Sequence, residues 1–133
     1  MNDKEMWVLE WFKKADRDLR AAEVLIGLED PSSDIVCFHT QQCVEKYLKG
    51  FLSFHEREFA KTHDLVELLT ECENVDSSFA EWEEICRLLT IYSVASRYPD
   101  SSREYTVDEA KEAISFAGDL KNFVRRKVGL EER

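Results

Sequence analysis

The chain is poor in the residues that interrupt regular structure, with four glycines and two prolines in 133 residues. A sandwich, a barrel or a linker-rich protein needs many more turn formers than that, and a glycine-rich phosphate loop has nothing to be built from. No run of eighteen apolar residues occurs, which excludes an ordinary transmembrane helix. The opening Met1-Asn2-Asp3-Lys4-Glu5 lacks the basic and apolar regions of a signal peptide. A cytoplasmic protein without membrane contact is expected. Cys37, Cys43, Cys72 and Cys86 form no CxxC unit, so buried free thiols are expected before a metal site or a disulfide. Basic residues are outnumbered 18 to 28, giving a net charge of -10. Such a surface repels a phosphate backbone at long range and leaves room only for a local basic patch.

What is present describes a packed helical protein. Hydrophobic residues make up 44% and charged residues 35%, and the length suits one core, so a single domain over 1–133 is expected. Val8, Phe12, Ala15, Leu19, Ala22 and Ile26 step by 4, 3, 4, 3 and 4, the stripe of an amphipathic helix from about Asp3 to Gly27. Asn2 and Glu5 have capping-box spacing. Trp7 and Trp11 widen the stripe, while Lys13, Asp16, Arg17, Arg20 and Glu23 fall on the other side.

After the turn at Asp30-Pro31-Ser32-Ser33-Asp34, a second helix is predicted over about Ile35 to His55. It is apolar over a wide arc and is expected to be the most buried. Thr62 is placed to cap a short third helix, His63 to about Cys72, followed by a polar loop over Glu73 to Ser77. Ser78 and Glu81 have the spacing of a capping box for a fourth helix reaching about Ala95. Eight acidic and no basic residues lie between Lys61 and Arg87, which reads as a solvated acidic face. Pro99 ends the fourth helix, and Thr106-Val107-Asp108-Glu109 opens the last one, with Ala110, Ala113, Ala117, Leu120, Val124 and Val128 as its stripe. The fold class is therefore all-α, an up-and-down four-helix bundle with one additional short helix. The surplus apolar arc at Trp7, Trp11, Phe116 and Phe123 points to a homodimer.

Few residues offer chemistry. His39, His55 and His63 fall in no HExxH or ExxH pattern, so no metal site and no catalytic residue is assigned, and no cofactor is required. The aperiodic stretch from Arg97 to Tyr105 is the candidate ligand site, with Arg97, Tyr98, Asp100 and Arg103. Arginine forks bind phosphate and tyrosine rings stack on bases, or else Arg97 and Asp100 pair with each other while Tyr98 packs on the bundle end. On the second helix His39, Gln42, Glu45, Lys46 and Lys49 form a polar strip that must face solvent, a cleft or a partner. There Glu45 and Lys49 form an i,i+4 pair of the kind that needs no ligand.

Four blocks in order carry a resemblance: Trp11 to Ala22 (WFKKADRDLRAA), Cys37 to Lys49 (CFHTQQCVEKYLK), Thr62-His63-Asp64-Leu65, and Ala95-Ser96-Arg97-Tyr98-Pro99-Asp100. Together they resemble the HEPN domain, a nucleotide-binding domain of higher eukaryotes and prokaryotes. The resemblance implies a compact helical bundle, commonly dimeric, that acts with a small nucleotidyltransferase as a two-component or toxin-antitoxin pair. It also implies, for many members, a metal-independent ribonuclease with an Arg and a His four to six residues later. Here Ser102, Arg103 and Glu104 stand at those positions after Arg97, and the Arg57 to His63 spacing falls in a different block. With the resemblance, a protein that binds a nucleotide, RNA or a partner nucleotidyltransferase near Arg97, Tyr98, Asp100 and Arg103 is expected, with Lys46 and Lys49 adding phosphate contacts and His39, Gln42, Glu45 and His63 supporting them. A ribonuclease of altered site and an acidic protein-protein adaptor are the alternatives.

Overall fold

The computed structural model describes residues 2–96 and 105–130. Five α-helices follow one another, α1 (Asp3–Ile26), α2 (Ser33–Phe54), α3 (Leu65–Val75), α4 (Glu83–Ser96) and α5 (Val107–Val128), with a 3-10 turn over Ser77–Trp82 before α4. There is no strand among the described residues.

Asn2 starts α1 by accepting the Glu5 amide at 2.8 Å, and Asp3 and Glu5 complement the positive end of the helix. The expected stripe Val8, Phe12, Ala15, Leu19 and Ala22 is buried, but Trp7 is 63% exposed and lies outside it. The turn into α2 places Asp30 at φ 52°, a left-handed conformation that Asp adopts more readily than most residues other than glycine.

Two caps differ from the sequence expectation. Asp64, not Thr62, caps α3, accepting the Val66 amide at 2.9 Å, while the Thr62 hydroxyl accepts the Asp64 amide. Asp76, not Ser78, opens the next segment, taking the Ser78 amide at 3.0 Å, so Ser77–Trp82 winds as a 3-10 turn and α4 begins at Glu83. In both cases a carboxylate next to the expected hydroxyl wins, because a charged acceptor bonds an amide more strongly. α3 also continues through the expected loop to Val75. The Thr106–Glu109 capping box of α5 forms as expected, and α5 ends on Gly129 at φ 72° with the Leu130 amide returned to the Arg125 carbonyl.

Side-chain pairings give the directions of the helices. Lys4 meets Phe54, Phe12 meets Tyr47, and Asp18 meets His39, so α1 and α2 are antiparallel. Trp82, the last residue before α4, meets Phe123, and Tyr92 of α4 meets Glu109, so α4 runs antiparallel to α5. α2 is the middle element and contacts all four other helices. Its buried face extends from Val36 to Leu52 and includes Thr40, Gln41 and Glu45. An aromatic chain of Phe51, Phe79, Phe123 and Trp82, with successive centroids 4.3 to 5.5 Å apart, joins α2 to the 3-10 turn and α5. All four cysteines are free and buried, and burial pushes the Cys86 thiol up to about 12.

The contact between α1 and α2 depends on Gly50. A Cβ there would lie 2.6 Å from Phe12 Cε1 and 3.2 Å from Trp11 Cβ. Phe12 has no exposed surface and stacks on Tyr47 at 4.8 Å, so its ring has nowhere to go. Gly50→Ala therefore gains about 0.5–1 kcal/mol of helix propensity and loses about 1–3 kcal/mol to overpacking. We expect a net loss, seen as a melting temperature several degrees below wild type. An unchanged or higher value would show that α1 can move away freely.

Candidate functional site: the polar seam of α2

α2 carries its polar residues into three linked clusters, each organised by one carboxylate. In the first, Glu45 has only 5% of its side chain exposed. Its Oε1 accepts His63 Nδ1 at 2.9 Å and its Oε2 receives Lys49 Nζ at 3.1 Å. Gln41 Nε2 donates to the His63 carbonyl at 2.9 Å, and Gln42 Nε2 donates to Gln41 Oε1 at 2.7 Å. His63 is thus held at its backbone and at Nδ1. With a carboxylate as acceptor the proton belongs on Nδ1, and Nε2 of the 58% exposed ring faces water with no partner among the described residues. The Lys49 ammonium also lies 5.8 Å from the Trp11 ring and 5.9 Å from the Phe59 ring, where it gains from both π faces.

The second cluster is built on Asp18. His39 Nδ1 lies 2.9 Å from its Oδ1, and Lys46 pairs with Oδ2. Positions 39 and 46 are two helical turns apart on one face of α2, so a single carboxylate from α1 reaches both.

The third joins three helices. Tyr47 donates its hydroxyl proton to Asp16 Oδ1, Lys121 Nζ approaches the same oxygen at 3.3 Å, and Arg125 Nη2 donates to Oδ2 at 2.9 Å. Arg125 Nε donates to the Tyr47 oxygen at 3.1 Å and Nη1 to the Leu130 carbonyl at 2.9 Å, with the guanidinium 5.1 Å from the Phe12 ring centroid. Burial pushes the Tyr47 phenol well above the usual tyrosine range, and its hydrogen bond to Asp16 pushes the same way. The hydroxyl therefore remains a proton donor at any physiological pH.

The expected site residues divide accordingly. Glu45, His63 and Lys49 come together, with Gln42 attached through Gln41, and His39 and Lys46 come together through Asp18. Arg97, Tyr98, Asp100 and Arg103 lie outside the described residues. The polar strip is not uniformly open, for Glu45 is buried and its pairing with Lys49 is not the exposed surface pair expected. Asp16 does not lie on the solvent side of α1 but turns toward α2 and α5. Asp18, Gln41, Tyr47, Lys121 and Arg125 join the site without being marked by motif or spacing. The available signals are Gln41 within the most apolar helix and Arg125 within the Val124 to Val128 stripe of α5. No group of three or more His, Cys, Asp or Glu able to hold a metal occurs among the described residues. None of their helices is long and apolar enough to cross a membrane.

The class so defined is a small antiparallel helical bundle with an ion-paired seam along its middle helix. The HEPN domain family model matches residues 8–127. The chain belongs to the HEPN family. It is 27% identical to a Methanocaldococcus jannaschii protein named "Putative toxin MJ1304", over 92% of this chain and 91% of that one. Among solved structures it is similar to TT1696 from Thermus thermophilus, with TM-score 0.79 and 31% identity over 90% of this chain and 97% of that one. It is also similar to ST0689, an archaeal HEPN homologue, with TM-score 0.73 and 31% identity over 91% and 97% of the two chains.

Asp16 is the acceptor that all three of its partners share. Asp16→Ala removes the carboxylate that Tyr47, Lys121 and Arg125 share, and we expect a loss of about 1–3 kcal/mol in urea unfolding. A variant as stable as wild type would mean that water replaces the carboxylate at no cost.

Proposed function

We propose that this HEPN protein is the toxin-side member of a two-component pair. It binds a nucleotide or its partner nucleotidyltransferase through the segment holding Arg97, Tyr98, Asp100 and Arg103, and acts as a homodimer. The observation that carries this reading is the likeness to a protein named as a toxin along more than nine-tenths of both chains. No histidine stands four to six residues after Arg97, which favours binding over acid/base cleavage of RNA. At Lys46 and Lys49 an incoming phosphate competes with Asp18 and Glu45 for the ammonium groups, so these lysines serve as secondary contacts. Nucleotides of the four bases and short RNA, each near ~1 mM with and without magnesium, are the probes for a melting assay. Ligand at 100 times its dissociation constant adds about 2.7 kcal/mol to the folded state. We expect one probe to raise the melting temperature of wild type and to lose that effect in Arg97→Ala, whose own melting temperature stays near wild type. No shift with any probe removes the nucleotide, and co-purification with a nucleotidyltransferase then tests the partner.

One observation favours a second reading, a ribonuclease with an altered site. A buried carboxylate that holds an exposed imidazole by Nδ1 orients Nε2 for proton transfer with the ribose 2'-hydroxyl, with Arg97 stabilising charge on the phosphate. His63→Gln should then abolish RNA cleavage by the wild type while leaving the melting temperature within a few degrees. Absence of cleavage by the wild type ends this reading.

A further inference from the structure

Two internal ion-pair sites decide what α1 shows to its surroundings. The run Lys13-Lys14-Ala15-Asp16-Arg17-Asp18-Leu19-Arg20 holds four basic and two acidic residues and reads as mixed charge. In the fold Asp16 is engaged by Tyr47, Lys121 and Arg125, and Asp18 by His39 and Lys46, so both carboxylates face the bundle. Lys13, Lys14, Arg17 and Arg20 are exposed, and none has an ion-pair partner among the described residues. The outer middle of α1 is therefore a basic surface on a chain of net charge -10.

The same surface has helical order. Met6, Glu10, Lys13, Arg17, Arg20 and Val24 step by 4, 3, 4, 3 and 4, the spacing of the buried stripe displaced by two residues to the far side of the helix. All six are exposed, and the two ends are strongly apolar: Met6 is 56% and Val24 54% exposed, with Trp7 beside the first and Leu28 beyond the second. A shallow groove lined by Trp7, Glu10, Trp11 and Lys14 follows the N-terminal flank. These steps keep the six side chains on one face of the helix, apolar at both ends and cationic at its middle. A nucleic-acid backbone requires cations but not apolar ends, whereas an amphipathic helix uses both.

We propose that this face of α1 docks an amphipathic helix of a different protein, acidic at the middle of its contact seam and apolar at both ends. The proposal gives chemistry to the protein partner inferred above and rests on that partner reading, but not on a nucleotide site at Arg97. From Met6 to Val24 the seam is about 27 Å long at 1.5 Å per residue, so the docked helix spans about five turns. Carboxylates opposite Lys13, Arg17 and Arg20 complete pairs that the fold leaves open, and Glu10 repels a carboxylate at its own level, which selects one orientation of the incoming helix. A second copy of this chain fits less well. Antiparallel pairing of α1 with α1 matches Met6 to Val24 and Glu10 to Arg20, but it sets Lys13 against Arg17 twice at the symmetry axis.

The test uses the whole protein and a synthetic helical peptide of about three heptads, with leucine at the ends of its seam and glutamate at the middle positions. Controls are a scrambled peptide of the same composition and single-stranded poly(U). Trp7 is the exposed indole and reports docking by a blue shift of fluorescence. We expect saturable binding of the designed peptide. It should weaken at least tenfold with the scrambled peptide and at least tenfold in Arg17→Glu/Arg20→Glu, while Arg97→Ala binds the peptide as wild type does. Arg17→Gln/Arg20→Gln, which adds no new charge, gives the same comparison should the reversal variant fold poorly. Equal binding of the scrambled peptide would reduce the face to general charge attraction and overturn the proposal. Tighter binding of poly(U) that the same variants abolish would make it a nucleic-acid face, and a dimer in light scattering that they dissociate would assign it to a second copy. Peptide binding with no nucleotide shift in any assay would remove the nucleotide from the Arg97 segment and leave this face standing.

Discussion

The arrangement depends first on one carboxylate, that of Asp16. It draws Tyr47 from α2 and Arg125 and Lys121 from α5 to a single point on α1. Helices held by apolar stripes alone can slide by a turn with modest loss, because one methyl group replaces another. A carboxylate that must receive a tyrosine hydroxyl and a guanidinium has one register only. The guanidinium covers the Phe12 ring, and Phe12 fills the space that Gly50 leaves by having no Cβ, so the polar register and the close helix approach reinforce each other. Such networks add more to specificity than to net stability, since desolvating the charges offsets much of their attraction.

The same constraint explains why α2 can be both the most enclosed helix and a carrier of polar residues. Gln41 and Glu45 are buried at a cost that only full pairing offsets, and each is paired: Gln41 to the His63 carbonyl, Glu45 to His63 and Lys49. The outcome is local order at the start of α3. The loop ahead of Asp64 is tied to α2 by both the backbone and the ring of His63, and the Leu65 amide is taken by the Thr90 hydroxyl of α4. A histidine with its backbone and one ring nitrogen held, and the other nitrogen in water, is a suitably rigid group for binding or proton transfer.

Periodicity makes the helices legible, because burial on one side of a helix repeats every three or four residues and is written locally. The stripes of α1 and α5 and the Thr106 cap are cases of that kind. Caps are harder to place where two acceptors lie two residues apart, as at Thr62 and Asp64 or Asp76 and Ser78, since both side chains suit a cap and only the stronger bond of the carboxylate decides between them. The polar seam is only half legible. His39, Glu45, Lys46, Lys49 and His63 stand out by type, but their partners Asp18 and Gln41, and the Asp16–Tyr47–Arg125 network, join positions separated by up to 109 residues and have no local signature. The segment from Arg97 to Arg103 lies outside the described residues, so its part in the site rests on residue type and family resemblance.

Charge that looks evenly mixed along the chain is sorted in space by these pairings. The stretch between Lys61 and Arg87 keeps eight carboxylates, of which Asp64, Glu67, Glu81, Glu83 and Glu84 are exposed, while the outer face of α1 keeps its cations because its aspartates are engaged inside. On a chain of net charge -10 a local cluster of exposed cations attracts an acidic partner that the rest of the molecule repels at long range, which speeds a correct encounter. Substituting Asp16 or Asp18 would remove an internal acceptor shared by two or more side chains and so loosen the seam. The aspartates that fix helix register are thus the same ones whose withdrawal from the surface leaves Lys13, Arg17 and Arg20 to set the charge of the outer face.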